Sequence, residues 1–151
     1  MMLHQRKRSD ASLSDEYETP DYIIAELSRQ HGIFPKVDVC AAKINKCANG
    51  LDNSLELNWF DPISNHYDFW CNPPHSKTKE FVLKADEQWQ KFNLNIMMII
   101  PANAVTTKYF ETVLDNVEYY PISGRITFLV NGEPSPYPAR NGYFVVIWRK
   151  K

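Results

Sequence analysis

The sequence has no apolar run long enough to cross a membrane and no apolar core of a secretory signal. Its longest apolar stretch begins at Ile96 and is interrupted by Pro101 after five residues, whereas a transmembrane helix needs about 20. The first 15 residues are polar and lack hydrophobic periodicity. We therefore expect a soluble cytoplasmic protein without membrane contact, in which residues 1–15 form a flexible tail.

Cysteine and net charge are also scarce, and each scarcity excludes a class of protein. The three cysteines, Cys40, Cys47 and Cys71, are too few for a disulfide-stabilised secreted domain and are typical of a reducing compartment. The formal net charge is −1, so the chain is not a generally basic nucleic-acid binder. The rest is ordinary globular composition: 44% of the 151 residues are hydrophobic, which suits one folded domain over residues 16–151.

Three segments have the pattern of helices. In "TPDYIIAELSRQHG" Thr19 can cap the first turn and Gly32 can end the helix. Its buried stripe is expected at Ile23, Ile24 and Leu27. The second helix, "SKTKEFVLKADEQWQKF", has candidate buried positions at Phe81, Leu83, Ala85 and Trp89. The third, "TTKYFETVLDN", would be capped by Thr106 or Thr107.

Strand-like segments alternate with these helices. "KVDVCAA", "HYDFWC" and the continuous apolar "NLNIMMIIPA" precede a strand-rich C-terminal part. This order predicts an α/β sandwich with a mostly parallel sheet and an antiparallel C-terminal hairpin at its edge. Ligands of such folds bind beyond the carboxyl ends of the strands. We therefore expect "DVCAA" and "CNPPH", which lie at the carboxyl ends of two of these strands, to share one rim of the sheet.

The tetrapeptide Asn72, Pro73, Pro74 and His75 allows two interpretations. It can simply end a strand, because proline cannot continue a ladder of hydrogen bonds. Alternatively, the stiff turn fixes the Asn72 side-chain oxygen and the Pro73 carbonyl as two acceptors for one amino group. Two acceptors holding the hydrogens of an aromatic amine would localise its lone pair for attack on an electrophilic methyl group. In that case His75 could stack on a base that has left the duplex.

This tetrapeptide resembles the Asn-Pro-Pro-aromatic catalytic motif of amino-group methyltransferases that use S-adenosyl-L-methionine. The segments "DEYETPDYIIAEL", "VDVCAA", "NKC", "WCNPPHS", "MMIIPANAVTTKYF" and "GRITF" follow one another in an order similar to that of the small, phage-type (Dam-like) DNA N6-adenine methyltransferases. The resemblance covers roughly Asp15 to Trp148. It implies a Rossmann-like class I methyltransferase fold, S-adenosyl-L-methionine as cofactor, and DNA as partner of a phage or prophage product in a bacterial host. The family more often has tyrosine or phenylalanine where this chain has His75.

The resemblance also implies a set of cofactor contacts. "ETP" resembles the segment that closes over the methionine end of the cofactor, and it comprises Glu18, Thr19 and Pro20. "DVCAA" takes the place of the first cofactor-binding strand and loop; it lacks Gly-x-Gly, but Cys40 and Ala41 are small enough for close approach to a ligand. Asp38 is the candidate partner of the cofactor ammonium, or else a surface or capping carboxylate. Asp52 is the candidate for the ribose hydroxyls, with Glu56 as the reserve.

Local positive charge would have to hold the nucleic acid. Lys77 and Lys79 follow the catalytic turn, and Arg140 lies in the polar connector near the C-terminus. All three could contact the phosphate backbone, although solvated surface charge is the alternative. The sequence does not decide between a monomer and a homodimer, and no separate target-recognition domain fits in the chain.

Other functions share parts of this pattern. The same Asn-Pro-Pro-aromatic chemistry serves methyltransferases of RNA bases and of the glutamine amide in proteins, and a catalytically inactive DNA-binding relative would keep the fold. A zinc site is a further alternative, with Cys40, Cys47, Cys71 and His75 as ligands. The spacing of these four residues matches no common zinc finger, and buried free thiols explain the cysteines more simply, so no metal is expected.

Overall fold

A computed structural model of the chain describes residues 15–41, 45–136, 139 and 142–151. These residues form helices α1 (Asp21–His31), α2 (Thr78–Phe92) and α3 (Lys108–Glu111). The main sheet contains β1 (Val37–Asp38), β2 (Asn49–Gly50), β3 (Asp68–Cys71), β4 (Asn95–Pro101), β5 (Glu118–Ile122) and β8 (Tyr143–Trp148). Strands β6 (Leu129–Val130) and β7 (Glu133–Pro134) form a separate antiparallel hairpin. The expectation of a mixed α/β protein is confirmed.

The main sheet is mostly parallel, in the strand order β2-β1-β3-β4-β8-β5. Strand β1 is parallel to β2 and β3, and β3 is parallel to β4. Strand β8 is antiparallel to both β4 and β5, so the expected antiparallel C-terminal pair is present. The predicted edge position is wrong for β8. This strand lies inside the sheet, because its almost fully buried sequence "YFVVIW" needs neighbours on both sides. Strand β5 takes the edge, where its exposed residues and Pro121 are tolerated.

Helix α1 ends where the sequence predicts, but it begins one residue later than a Thr19 cap would imply. Gly32 adopts a left-handed φ of 71°, and its N–H donates to the Ser28 carbonyl oxygen at 2.8 Å. Pro20 occupies the N-cap position with an extended ψ of 141°, so Thr19 lies outside the helix and does not cap it. Ile24 and Leu27 are buried, as expected for the apolar stripe, whereas Ile23 is only partly buried.

Helix α2 buries one side, and one of its predicted core positions is wrong. Phe81, Val82, Ala85 and Trp89 are buried, whereas Leu83 is 39% exposed. At 3.6 residues per turn, Leu83 points away from the stripe formed by positions 81, 82, 85 and 89. In α3 the Thr107 hydroxyl accepts from the Phe110 N–H at 3.3 Å, so Thr107 is the cap.

The sheet separates two hydrophobic clusters. Along β4, Ile96, Met98 and Ile100 pack into one cluster, and Met97 and Ile99 pack into the other. This double burial explains why the strand reads as a continuous apolar run. Within the described part of the chain, no helix has the length and hydrophobicity that membrane spanning requires.

Candidate active site

The carboxyl ends of β1 and β3 meet at a cavity of about 260 Å³. Its walls come from residues within 15–19, 38–41, 51–55 and 70–81, together with Lys46. The parallel pairing of β1 with β3 therefore places the described part of "DVCAA", residues 38–41, and "CNPPH" on one rim, as expected. The predicted site residues that line the cavity are Glu18, Thr19, Asp38, Cys40, Ala41, Asp52, Asn72, Pro74 and Lys77. Those outside its lining are Pro20, Glu56, Pro73, His75 and Lys79.

Asp38 ends β1 as a buried carboxylate, 3% exposed. Its Oδ1 accepts from the Cys40 N–H at 2.8 Å, and its Oδ2 accepts from the Lys46 N–H at 3.0 Å. Burial raises the pKa of the Asp38 carboxyl above its ordinary value, and the two N–H bonds act in the opposite direction. A ligand cation beside Asp38 would lower this pKa and so favour the ionised form.

Small residues allow close backbone packing beside this carboxylate. A Cβ on Gly50 would lie 2.6 Å from the Ala41 Cβ and 2.8 Å from the Asn45 side-chain nitrogen.

Cys40 Sγ and Cys71 Sγ are 3.6 Å apart. Burial raises the pKa of the Cys71 thiol far above its ordinary value, and it raises the pKa of Cys47 to about 12. Among the described residues, no three or more His, Cys, Asp or Glu side chains are grouped to hold a metal ion.

Asn72 follows β3 with a fixed side-chain orientation. Its Nδ2 donates to the Tyr17 carbonyl oxygen at 3.0 Å, and this bond can be made only by the amide nitrogen. The side-chain oxygen is therefore left as the acceptor. Pro74 then starts a 3₁₀ turn, His75–Lys77, in which the Lys77 N–H donates to the Pro74 carbonyl oxygen at 2.8 Å, and α2 follows directly.

His75 is partly buried in a cluster of aromatic rings. Its Nε2 lies 2.7 Å from Tyr143 Oη, at hydrogen-bonding distance. Its ring meets Tyr17 edge to face at 5.7 Å between centroids. Phe128 stacks on Tyr17 at 4.8 Å and contacts Tyr143 at 4.9 Å. The surroundings of His75 are therefore set by three aromatic residues from distant parts of the chain.

Glu18 links this site to the small hairpin. Its backbone N–H donates to the Leu129 carbonyl oxygen at 2.8 Å, and its own carbonyl accepts from Leu129 at 2.9 Å. Its carboxylate accepts from the backbone N–H groups of Asn131 at 3.1 Å and Gly132 at 3.4 Å. The Glu18 side chain thus holds the turn between β6 and β7 beside the cavity.

Two buried polar atoms of the described side chains have no hydrogen-bond partner, Thr19 Oγ1 and Trp70 Nε1. Both residues line the cavity. Buried polar groups are nearly always paired, so two such residues at one cavity are suited to a ligand that supplies the missing partners. The cavity combines these two donors with the Asp38 acceptor and with an apolar wall that contains Leu51, Leu55 and Phe81. This combination fits a cofactor with charged and apolar parts.

The remaining predicted residues are placed as follows. Asp52 is exposed at the cavity, whereas Glu56 is exposed away from it. Lys77 and Lys79 are exposed, within and just after the 3₁₀ turn that follows Pro74. Arg140 lies outside the described residues.

Two residues of this site, Tyr17 and Trp70, do not stand out in the sequence. The only local signal is that Trp70 precedes Asn72 by two positions, which is the spacing of residues on one face of a strand.

Comparison with known proteins gives consistent matches. A family model described as DNA N-6-adenine-methyltransferase (Dam) matches residues 6–151. A protein of Haemophilus phage HP1 (strain HP1c1) named DNA N-6-adenine-methyltransferase is 29% identical over 131 residues, which is 83% of this chain and 70% of the relative. An Escherichia phage T1 protein of the same name is 29% identical over 125 residues, which is 80% of this chain and 50% of the relative. The chain thus spans about half the length of the second relative.

Proposed function

The chain belongs to the Dam family of DNA N-6-adenine-methyltransferases, and on that premise we propose that it methylates the exocyclic amine of adenine in DNA with S-adenosyl-L-methionine as donor. The observation that carries this proposal is the orientation of Asn72, whose amide nitrogen is bound to Tyr17. Its oxygen is left as an acceptor at the end of the strand beside Asp38. We also propose a Rossmann-like class I methyltransferase fold within a single domain over residues 16–151.

The catalytic roles follow from the chemistry of the amine. The cofactor would supply a methyl group made electrophilic by its sulfonium, and its S–CH3 bond would break as the N6–CH3 bond forms, so that S-adenosylhomocysteine leaves. The Asn72 oxygen and the Pro73 carbonyl each accept one hydrogen of adenine N6, which localises the nitrogen lone pair for attack. Pro73 and Pro74 keep these acceptors in place without reorganisation. His75 stacks on the extruded base, and the methylated amine loses one proton to restore a neutral product.

The cofactor and the DNA are held by other parts of the rim. Asp38 binds the cofactor ammonium, Asp52 binds the ribose hydroxyls, and Cys40 and Ala41 permit close approach of the backbone. Glu18 and Pro20 shape the segment that carries Thr19 over the methionine end. Lys77, Lys79 and Arg140 contact the DNA phosphates. Because both phage relatives are named DNA N-6-adenine-methyltransferase, we further propose action on DNA in the cytoplasm of a bacterial host.

The test is transfer of label from S-adenosyl-L-methionine to DNA, followed by nuclease digestion and mass analysis of the nucleosides. We expect N6-methyladenine in DNA, with RNA and protein unlabelled in parallel reactions. Asn72→Ala should lower transfer at least about a hundredfold, a typical loss for one preorganised group, and should leave cofactor affinity within about threefold.

A matched amide away from the cavity serves as control. Asn58 is exposed and lies outside the cavity lining, so Asn58→Ala should retain transfer. Full activity of Asn72→Ala would contradict the catalytic assignment. Methyl groups found in RNA or in glutamine would contradict DNA as substrate, and DNA binding without any transfer would favour an inactive relative.

A further inference from the structure

The indole N–H of Trp70 differs from those of the other three tryptophans. Trp70 is fully buried, at 0% exposure, yet its Nε1 has no hydrogen-bond partner. The other indole N–H groups donate at 2.9–3.0 Å: Trp59 to the Ser54 carbonyl, Trp89 to the Arg149 carbonyl and Trp148 to Asp86 Oδ1. An indole N–H can only donate. A partner for Trp70 must therefore be an acceptor, and because Trp70 lines the cavity a ligand bound there can bring one.

Trp70 lies beside Asp38 in the main sheet. In the parallel pairing of β1 with β3, Trp70 is the register partner of Asp38, so both side chains project from the same face of the sheet. Both also line the cavity. A donor without a partner therefore lies beside a buried carboxylate, which is an acceptor suited to a cation.

Thr19 supplies a second donor to the same cavity. Its Oγ1 is buried and has no partner, and Thr19 itself is 1% exposed. A hydroxyl and an indole N–H together can donate to the two oxygens of a carboxylate, and a charged acceptor makes stronger hydrogen bonds than a neutral one. The group that combines a carboxylate with an adjacent ammonium is the free end of an α-amino acid.

We propose that Trp70 Nε1 and Thr19 Oγ1 bind the carboxylate of the α-amino-acid end of the cofactor, while Asp38 binds its ammonium. This inference rests on the proposed function and adds Trp70 as a ligand-binding residue. It also accounts for the two unpaired polar atoms as groups kept available for the ligand.

The test measures binding rather than turnover. Purified full-length protein is titrated calorimetrically with S-adenosylhomocysteine, which keeps the amino-acid end but has no methyl group to transfer, and with its decarboxylated analogue, which lacks only the carboxylate. Trp70→Phe should weaken S-adenosylhomocysteine binding about tenfold, the effect of one charge-assisted hydrogen bond. Its affinity for the decarboxylated analogue should stay within about twofold of wild type.

Two further variants complete the design. Trp89→Phe also removes an indole N–H, but one that donates to Arg149 away from the cavity, so neither affinity should change. Thr19→Val should reproduce the selective loss, and Thr19→Ser, which keeps a hydroxyl, should retain affinity. If circular dichroism shows that Trp70→Phe does not fold, the Thr19 pair decides by the same criterion.

Equal losses for both ligands, or no loss for either, would overturn the inference, because the indole would then act through packing alone or not at all. Wild-type protein that binds S-adenosylhomocysteine while Trp70→Phe keeps full affinity contradicts only this inference. Wild-type protein that binds neither ligand contradicts the proposed function, and this inference with it.

Discussion

At the scale of single residues, His75 is the aromatic member of the proposed catalytic tetrapeptide. Its imidazole is smaller than a tyrosine or phenylalanine ring, so its orientation matters more for the proposed stacking on a base. The Tyr143 hydroxyl lies 2.7 Å from His75 Nε2, and Tyr17 contacts the ring edge to face. The hydroxyl thus restricts rotation of a ring that would otherwise turn about its side-chain bonds.

Removing this hydroxyl should impair base recognition. Tyr143→Phe keeps the aromatic packing and loses the hydrogen bond, so we expect KM for DNA to rise about fivefold, as for one neutral hydrogen bond, with little change in cofactor affinity. In a His75→Phe background the same substitution should have no further effect. The check is steady-state kinetics of all four proteins, with Tyr119→Phe, an exposed tyrosine of β5, as control. Additive effects of the two substitutions would show that Tyr143 does not act through His75.

The proposed site residues that could be predicted from the sequence belong to short motifs. Asn72 and Asp38 each lie at the carboxyl end of a strand-like segment, so the parallel sheet alone places them on one rim. The free indole of Trp70 could not be predicted, because whether a buried N–H is paired depends on residues distant in sequence. Likewise, the bond from Asn72 to Tyr17 spans 55 positions and leaves no local pattern.

At the scale of elements, helix α2 shows that two adjacent apolar residues can differ strongly in burial. Val82 is fully buried, and its neighbour Leu83 is 39% exposed. Val82→Ala should lower the free energy of unfolding by about 2 kcal/mol through lost packing and a residual cavity. Leu83→Ala should change it by less than about 0.5 kcal/mol, as for most surface substitutions. Urea unfolding of both variants gives the comparison, and a larger loss for Leu83→Ala would contradict the placement of the stripe.

Elements with a strong local signal could be predicted, whereas the order of the last strands in the sheet could not. The periodic pattern of α1 and the apolar run of β4 are dictated by neighbouring residues. Insertion of β8 between β4 and β5 depends on pairing across long stretches of chain, such as Ile96 with Trp148. Strand β1 has only two residues, because the chain turns at Asp38 to bind its own backbone N–H groups.

At the scale of the whole molecule, Asp86 joins three separate parts of the fold. From α2 its Oδ1 accepts from Trp148 Nε1 in β8 at 3.0 Å and from Asn116 Nδ2 at 3.0 Å, while its Oδ2 accepts from Gln90 Nε2 at 2.8 Å. Trp148 is fully buried, so its N–H has no access to water. A single carboxylate therefore fixes a helix against the strand that completes the sheet.

Loss of this carboxylate should destabilise the whole domain. Asp86→Ala leaves the buried Trp148 N–H without its partner, and an unpaired buried donor costs about 1–3 kcal/mol. We expect a loss of about 2–3 kcal/mol in the free energy of unfolding, because the bonds from Asn116 and Gln90 are lost as well. The measurement is urea unfolding followed by tryptophan fluorescence and circular dichroism.

Glu87→Ala is the control, because it removes the next carboxylate along the helix, which is exposed. This variant should lose less than about 0.5 kcal/mol in the free energy of unfolding, since surface ion pairs contribute little. Equal stability of the two variants would show that Asp86 does not hold α2 against β8.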